Sequence, residues 1–276
     1  MEIRYLADPI RIQRMTTAEL RQNLLVENLF QPGELQLVYS DSDRAIVGSA
    51  VPVEASLTLR GSKELATEFF TERRELGVIN IGAPGTVLVG GEHFMLANKE
   101  ALYIGKGPHH IEFQSDSAQI PAEFYLLSYP AHMVYPTRKI TRSQANRLDL
   151  GSDAECNRRT IFQYLRPGVL ETCQLVMGIT ELAEGSVWNT MPPHTHARRT
   201  EIYFYFEMPE NSLVFHFCGE PESTRHLIMR NKQAVLSPSW SIHAGVGTTR
   251  YNFIWGMGGE NQEFTDMDGV VLTDLR

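Results

Sequence analysis

The sequence contains little cysteine and has neither a long apolar run nor an excess of basic charge. The three cysteines, Cys156, Cys173 and Cys218, are too few and too scattered for a disulfide framework or a thiolate zinc site. Because apolar residues lie near each of them, we expect buried free thiols. No run of about 18 apolar residues occurs, which excludes a transmembrane helix. No apolar segment of a signal peptide follows residues 1–5, so we expect a cytoplasmic protein.

The charge balance also limits the possible partners. The 25 basic and 33 acidic residues give a net charge of -8, and no basic stretch stands out that would bind nucleic-acid phosphates. The chain has no glycine-rich nucleotide fingerprint. Its 276 residues fit two modest domains.

The apolar pattern predicts a mostly β protein with one clear helix. Thr16 and Glu19 have the spacing of a capping box, and leucines follow at helical intervals as far as Leu29. A second short helix is expected near residues 142–146. Elsewhere, Val-, Ile-, Phe- and Tyr-rich segments alternate with turn residues, which is typical of an antiparallel sandwich or barrel. The predicted strands include residues 34–39, 77–81, 86–89, 123–128, 201–206, 213–217, 233–236 and 251–255.

Three histidines and one glutamate form a candidate metal site. His194 and His196 lie two residues apart, so an extended strand projects both side chains from the same face. Glu201 follows at an odd offset and shares that face only if a turn or bulge interrupts the strand around residues 198–200. One strand histidine is usually structural, but with Glu201 and the distant His243 the set suits zinc, or iron, manganese or nickel at higher coordination.

The two halves of the chain look like divergent copies of one unit. Residues 68–75 align without gaps on residues 194–201, and residues 101–104 align on 234–237, which places His110 opposite His243. Glu68 and Phe70 then stand where the second copy has its paired histidines. We therefore expect the first copy to lack metal, with the break between copies near residues 145–159.

The metal motif and its surroundings resemble a known family. The spacing from His194 to Glu201, followed by Pro238 and His243, resembles the two metal motifs of cupins. Gly247 stands where the general cupin pattern has an asparagine that is not a ligand. More specific runs are residues 188–196 (WNTMPPHTH), 201–206 (EIYFYF), 238–243 (PSWSIH) and 255–261 (WGMGGEN). In these runs, and over essentially the whole chain, the sequence resembles the 5-keto-4-deoxyuronate isomerases, also called 4-deoxy-L-threo-5-hexosulose-uronate ketol-isomerases.

The resemblance implies an all-β bicupin, with two double-stranded β-helix (jelly-roll-like) barrels and a few short helices. Residues 1–150 would form a degenerate, metal-free barrel, and residues 151–276 would carry the metal site. One zinc ion per chain would be held by His194, His196, Glu201 and His243, and six chains would form a homohexamer. The implied reaction converts 5-dehydro-4-deoxy-D-glucuronate to 3-deoxy-D-glycero-2,5-hexodiulosonate in pectin and uronate degradation. This ketol isomerisation passes through an enediol and needs a Lewis acid but no redox cofactor.

Residues that contact the substrate are less clearly marked. In a regular strand, Tyr203 and Tyr205 share a face with Glu201, so either is a candidate for hydrogen bonding or proton transfer. Trp240 and Trp255 are candidate apolar walls, and His110 is the extra histidine of interest, whereas we interpret His216 and the other histidines as structural. The candidates for binding a substrate carboxylate are Arg166, Arg198, Arg199, Arg225 and Arg250.

Three other functions use the same residues. The related isomerase of inositol catabolism acts on 5-deoxyglucuronate and would share the fold and metal site, so assays on both substrates separate the two. A cupin dioxygenase would use iron and require oxygen. A sugar-binding or storage cupin would have no turnover, and the metal site argues only weakly against it.

Overall fold

The computed structural model describes residues 1–263 and 265–276. The chain begins with strand β1 (Glu2–Arg4) and helices α1 (Pro9–Arg14) and α2 (Thr17–Leu24). The strands that follow in the first half are β2 (Leu25–Val26), β3 (Leu35–Ser40), β4 (Ile46–Ala50), β5 (Leu57–Leu59), β6 (Arg74–Asn80), β7 (Gly85–Val89), β8 (Glu92–Leu96), β9 (Ala101–Ile104), β10 (Ile111–Ser115), β11 (Phe124–Pro130) and β12 (Arg138–Ile140).

Strands also make up most of the regular secondary structure of the second half, as far as the structure describes it. They are β13 (Asn146–Leu150), β14 (Arg159–Leu165), β15 (Val176–Leu182), β16 (Trp188–Asn189), β17 (His194–Thr195), β18 (Arg199–Phe206), β19 (Val214–Glu220), β20 (Ser223–Met229), β21 (Gln233–Ser237), β22 (Ala244–Gly247), β23 (Asn252–Gly259) and β24 (Asp268–Gly269). Single 3-10 turns occur at Ser42–Arg44, Phe70–Glu72 and Leu272–Asp274. Every predicted strand overlaps an observed one, so the all-β prediction is confirmed.

The helix predictions are partly wrong. The capping box of α2 is present, because the Glu19 amide donates to Thr16 Oγ1 and the Thr16 amide donates to the Glu19 carboxylate. The helix ends at Leu24 rather than near Leu29, since β2 leaves the helix to pair with β21. Residues 142–144 form a turn rather than a helix. Helix α1, which begins at Pro9 after the N-cap Asp8, was not predicted.

The described strands form two pairs of sheets with the same internal order. A seven-stranded sheet (β1-β3-β4-β11-β6-β9-β12) and a four-stranded sheet (β5-β10-β7-β8) make up the first pair. The second pair consists of β13-β14-β15-β23-β18-β21-β2 and β16-β22-β19-β20. The nine strands β3 to β11 of the first pair occupy, in chain order, the same places as β14 to β23 of the second pair, once β17 is left out. Strand β17 pairs with β24 in a separate two-stranded sheet. The structural repeat agrees with an internal duplication, and a domain boundary at residue 150 stays a prediction.

Three apolar cores follow from the alternation of side chains along these strands. One core lies inside the first pair of sheets and includes Leu76 and Val78 of β6. A second lies inside the second pair and includes Tyr203 and Tyr205 of β18. The third lies between the two large sheets, where Tyr125 stacks on Phe204 with ring centroids 4.9 Å apart.

Close approach of the two large sheets depends on small residues at their contact. A Cβ atom built on Gly256 of β23 would lie 2.0 Å from Cδ2 of Leu127 on β11. Because real Cβ contacts are much longer, only glycine allows this spacing of the sheets.

The alternation corrects the gapless alignment of Glu75 on Glu201. Leu76 faces the interior of the first pair of sheets, so its neighbour Glu75 faces the second half of the chain. Glu201, in contrast, has the parity of Tyr203 and faces the interior of the second pair. A shift of one residue exchanges the two faces of a strand, which a match of sequence letters does not detect.

Two other sequence-based expectations concern the cysteines and the membrane. Cys218 is buried as expected, but Cys173 is only half-buried and Cys156 is exposed. Cys156 lies in the loop before β14 rather than in a core strand. In the part of the chain that the structure describes, no helix has the apolar length needed to span a bilayer.

Candidate metal centre

A tight turn brings the His-x-His pair and Glu201 to the same point. Strand β17 ends at Thr195, residues 197–198 turn, and β18 begins at Arg199. The Arg199 amide donates to the His196 carbonyl at 3.3 Å and closes this turn. The predicted interruption therefore exists, and it gives Glu201 the same direction as the two histidines. His243 arrives from the opposite sheet, immediately before β22.

The structure brings all four predicted side chains together. One nitrogen from each histidine and one oxygen of Glu201 all lie within 4.8 Å of one another. Glu201 Oε2 is 2.8 Å from His196 Nε2 and 3.0 Å from His243 Nε2. His194 Nε2 is 3.0 Å from His243 Nε2. His196, Glu201 and His243 are buried, and His194 is half-buried.

Backbone carbonyls orient two of the imidazole rings. His196 Nδ1 lies 3.1 Å from the Arg199 carbonyl, and His243 Nδ1 lies 3.3 Å from the Ser241 carbonyl. A carbonyl only accepts, so Nδ1 of each ring donates, and Nε2 of each ring is directed inward toward the other members of the cluster. With Nδ1 as the donor, Nε2 of a neutral ring is free to bind a cation. This donor set fits a divalent cation, and carbonyl-anchored rings are the usual support of histidine ligands.

The electrostatics of the cluster favour the protonation states that a metal needs. Burial lowers the pKa of His194 to about 3, with a further contribution from His243, so this imidazole is neutral at pH 7. Burial alone would raise the pKa of Glu201. Without a metal, the positive charge of the His243 and His196 rings when they are protonated, and their hydrogen bonds to the carboxylate, outweigh burial and hold that pKa well below its ordinary value. The centre therefore contains neutral imidazole and ionised carboxylate.

His194, His196 and Glu201 line a cavity of about 250 Å³ inside the second pair of sheets, and His243 lies behind them in the cluster. The cavity wall is mainly apolar. The Tyr203 hydroxyl lies 2.9 Å from Thr190 Oγ1, and its ring centroid is 5.4 Å from that of His243. The lining residues are Leu150, Arg159, Ile161, Thr180, Thr190, Met191, Pro192, His194, His196, Glu201, Tyr203, Phe253, Trp255, Met257 and Met267.

Tyr203 and Tyr205 differ in access to this cavity. Tyr203 lines it, and burial raises the pKa of its phenol well above the ordinary value, so the hydroxyl keeps its proton at neutral pH. Tyr205 lies deeper, with its hydroxyl 2.8 Å from Nδ1 of buried His216. Burial, with a smaller contribution from His243, lowers the pKa of His216 to about 3. Its neutral ring agrees with the structural role expected for His216.

The five arginines predicted to hold a substrate carboxylate lie outside the cavity lining. Arg198 pairs with Asp266 at 3.0 Å, and Arg250 pairs with Glu184 at 2.9 Å. Buried Arg199 donates to the backbone carbonyls of residues 263 and 266. Arg225 donates to the backbone carbonyls of residues 12, 13 and 15. Arg166 donates to the carbonyl of residue 167 and to the side chain of residue 163. Each guanidinium thus already has an internal partner. The cavity is lined instead by Arg159, a residue that no sequence motif marks.

The remaining sequence candidates divide between the cavity and the surface. Trp255 lines the cavity, whereas half-buried Trp240 packs at the margin of the second core. His110 is exposed in the first half, 2.7 Å from Glu112, and is remote from the cluster. A residue that the core pattern did not mark is Met267, which reaches the cavity because β24 pairs with β17, Gly269 opposite His194.

Comparison with known proteins decides the family. The model of the KduI/IolB family matches residues 24–269, which include the whole cluster and every strand of both sheet pairs except β1. The chain belongs to the KduI/IolB family. The predicted resemblance to 5-keto-4-deoxyuronate isomerases is therefore confirmed.

Curated relatives of the family are similar over their full length. The chain is 53% identical over 276 residues to the 4-deoxy-L-threo-5-hexosulose-uronate ketol-isomerase of Lachnoclostridium phytofermentans, with all of both chains covered. It is 52% identical over 278 residues to the enzyme of the same name from Enterobacter sp., again with complete coverage of both. The predicted enzyme class, a ketol-isomerase and hence an intramolecular oxidoreductase, is confirmed by these relatives.

Solved structures of distant proteins share the fold. An IolB-like protein from Salmonella typhimurium has a TM-score of 0.73 at 14% identity, with 90% of this chain and 97% of that chain covered. A mutant of oxalate decarboxylase from Bacillus subtilis has a TM-score of 0.59 at 9% identity, with 87% and 78% covered. The predicted cupin-type all-β fold of the family is confirmed by these neighbours.

Proposed function

We propose that the protein is a metal-dependent ketol-isomerase acting on 4-deoxy-L-threo-5-hexosulose uronate, which is 5-dehydro-4-deoxy-D-glucuronate. Its product would be 3-deoxy-D-glycero-2,5-hexodiulosonate, in the degradation of pectin and other uronates. The observation that carries this proposal is the convergence of three imidazoles and one carboxylate in a cluster of which His194, His196 and Glu201 line a small, mainly apolar cavity. The names of the full-length relatives support the choice of substrate.

His194, His196, Glu201 and His243 would hold one ion per chain, for which zinc is the best fit. Three neutral imidazoles and one carboxylate leave Zn²⁺ with a net charge of about +1. When bound, such an ion supplies Lewis acidity that polarises a carbonyl and stabilises an enediolate. The pairing of β17 with β24 and the turn at residues 197–198 hold the ligand strand in place.

Tyr203 is the residue we assign to contact with the substrate. Tyr203 lines the cavity, and its protonated hydroxyl lies 2.9 Å from Oγ1 of Thr190, a second residue of the lining, which orients it. A hydroxyl in this position donates a hydrogen bond to a substrate oxygen and can exchange a proton with it during enediol formation. The Tyr205 hydroxyl contacts His216 rather than the cavity, so we assign Tyr205 the role of a positioning residue behind Tyr203.

The first half serves as a scaffold without metal in this proposal. At the place corresponding to Glu201 it presents the apolar side chain of Leu76 to its interior, which cannot bind a cation. The Glu75 carboxylate accepts hydrogen bonds from three backbone amides of the second half. We further propose a cytoplasmic homohexamer, following the family resemblance.

Metal analysis combined with an isomerase assay tests the function. Purified protein is expected to contain one equivalent of zinc and to convert the ketouronate without oxygen or nicotinamide. Chelation should abolish turnover while the far-ultraviolet circular dichroism stays unchanged, because the cores do not include the metal. Full activity after metal removal would overturn the proposal. Turnover of 5-deoxyglucuronate alone would identify the other isomerase, and a requirement for oxygen would identify a dioxygenase.

A further inference from the structure

Arg159 occupies an unusual position in the cavity of the candidate metal centre. It is the first residue of β14, where it has the same parity as Ile161, which lies opposite Thr180 of β15. All three residues line the cavity. Among the described residues of that lining, Arg159 is the one with a permanent positive charge.

The guanidinium of Arg159 is incompletely paired. Its side-chain hydrogen bond runs from Nη1 to the Asn157 carbonyl at 2.8 Å. Within residues 1–263 and 265–276, no carboxylate lies within ion-pair distance of it, whereas Arg198 and Arg250 each have one. A guanidinium has five N–H donors, so most of the Arg159 fork is available to a ligand.

The surroundings make an unpaired cation costly. Arg159 is half-buried beside the apolar walls formed by Leu150, Phe253 and Met257. Burial lowers its pKa, although Tyr203, Tyr251 and, least of the three, Glu155 act in the opposite direction, and Glu155 does not reach ion-pair distance. The carboxylate of Glu201 lies against His196 and His243 and belongs to the candidate metal cluster. An anionic group brought by a ligand would supply the missing counter-charge.

We propose that Arg159 binds the substrate's carboxylate and thereby makes the cavity selective for sugar acids, with the carbonyl end of the substrate directed toward the His194–His196–Glu201–His243 cluster. This inference rests on the proposed function. The carboxylate would accept two N–H donors from the free side of the guanidinium. Tyr203 lines the same cavity, and its ring centroid lies 5.4 Å from that of His243.

The test compares the ketouronate with its methyl ester, which keeps the sugar carbons but has no negative charge. Zinc-loaded wild type, Arg159→Met, Arg159→Lys and the surface control Arg250→Met are assayed with both. Wild type and the control are expected to prefer the acid on the order of 100-fold in kcat/KM. In Arg159→Met the acid should lose about that factor and the ester should change little. Lysine keeps the charge without the planar fork, so its preference should be intermediate.

Several outcomes separate this inference from the proposed function. Zinc content and thermal midpoint show whether each variant is folded. If Arg159→Met does not fold, Arg159→Lys decides, and an acid preference equal to that of wild type in a folded variant would overturn the role of Arg159. If zinc-loaded wild type turns over neither compound, the proposed function fails instead. Binding of D-galacturonate, followed by tryptophan fluorescence, then tests Arg159 alone. Loss of binding in Arg159→Met but not in Arg250→Met supports the anion site, and equal binding in both rejects it.

Discussion

His194 Nε2 and His243 Nε2 face each other at 3.0 Å, although they come from segments 49 residues apart in the chain. The Ser241 carbonyl accepts the Nδ1 proton of His243, so its inner nitrogen has only a lone pair when the ring is neutral. Two such nitrogens at this distance repel unless a proton or a cation lies between them. A neutral His194 ring can satisfy this contact by donating from Nε2, whereas a cation would be held by both nitrogens together with His196 and Glu201, which is the arrangement that the four converging donors fit.

Removing one candidate ligand should remove the metal. We expect His243→Ala or His194→Ala to reduce bound zinc from one equivalent to a small fraction and to abolish isomerase activity, because each histidine supplies one of four bonds. His110→Ala is the matched control, since His110 is exposed and outside the cluster. Elemental analysis after dialysis measures the effect. Stoichiometric zinc in the double variant of His194 and His243 would contradict the assignment.

The two tyrosines of β18 should respond differently to loss of the hydroxyl. Tyr203→Phe is expected to lower kcat on the order of 100-fold with zinc content unchanged, because Tyr203 lines the cavity and its hydroxyl contacts another lining residue, Thr190. Tyr205→Phe should lower kcat much less, since its hydroxyl contacts His216 outside the cavity lining. Steady-state kinetics and elemental analysis distinguish these cases. A larger effect at Tyr205 would reverse the roles that we assign to the pair.

Buried His216 should make the fold sensitive to acid. Its pKa is lowered to about 3 in the folded protein, compared with about 6.5 in an unfolded chain. The unfolded state therefore binds the additional proton between these values, and this contribution to stability is lost as pH falls from about 6.5 toward 3. His216→Phe should lose less stability than wild type over that range in metal-free protein, as measured by urea unfolding at several pH values. Parallel curves would show that His216 does not titrate on unfolding.

Glu75 should contribute to stability rather than to metal binding. Its carboxylate accepts hydrogen bonds from the amides of residues 173, 174 and 175 and from the Tyr103 hydroxyl. Glu75→Gln replaces one acceptor with a donor facing those amides, so we expect a loss of about 2–4 kcal/mol of unfolding free energy. Exposed Glu92→Gln is the control. Zinc should stay at one equivalent per folded chain, and a second equivalent lost with Glu75 would contradict the scaffold role.

Local chemistry makes several elements predictable from short segments of the chain. The capping box at Thr16 and Glu19 marks a helix start because both partners lie within one turn of chain. The odd spacing of His196 and Glu201 requires an interruption of the strand, and the turn at residues 197–198 provides it. The end of α2 was less predictable, because Leu25 and Val26 suit a helix equally well until β21 offers them a strand partner.

The face of the sheet on which a side chain lies, and the proximity of residues that are distant in the sequence, depend on how the sheets assemble. The sequence by itself determined the residue types of the metal cluster and the all-β class. Residue type sets which side chains can bind a metal, and period-two alternation of apolar residues is visible within a single short segment. Only the tertiary structure decided that Glu75 faces the neighbouring sheet and that Arg159, rather than any of five other arginines, lines the cavity. Strand register and the meeting of distant strands set those directions, and neither is encoded within a single segment of the chain.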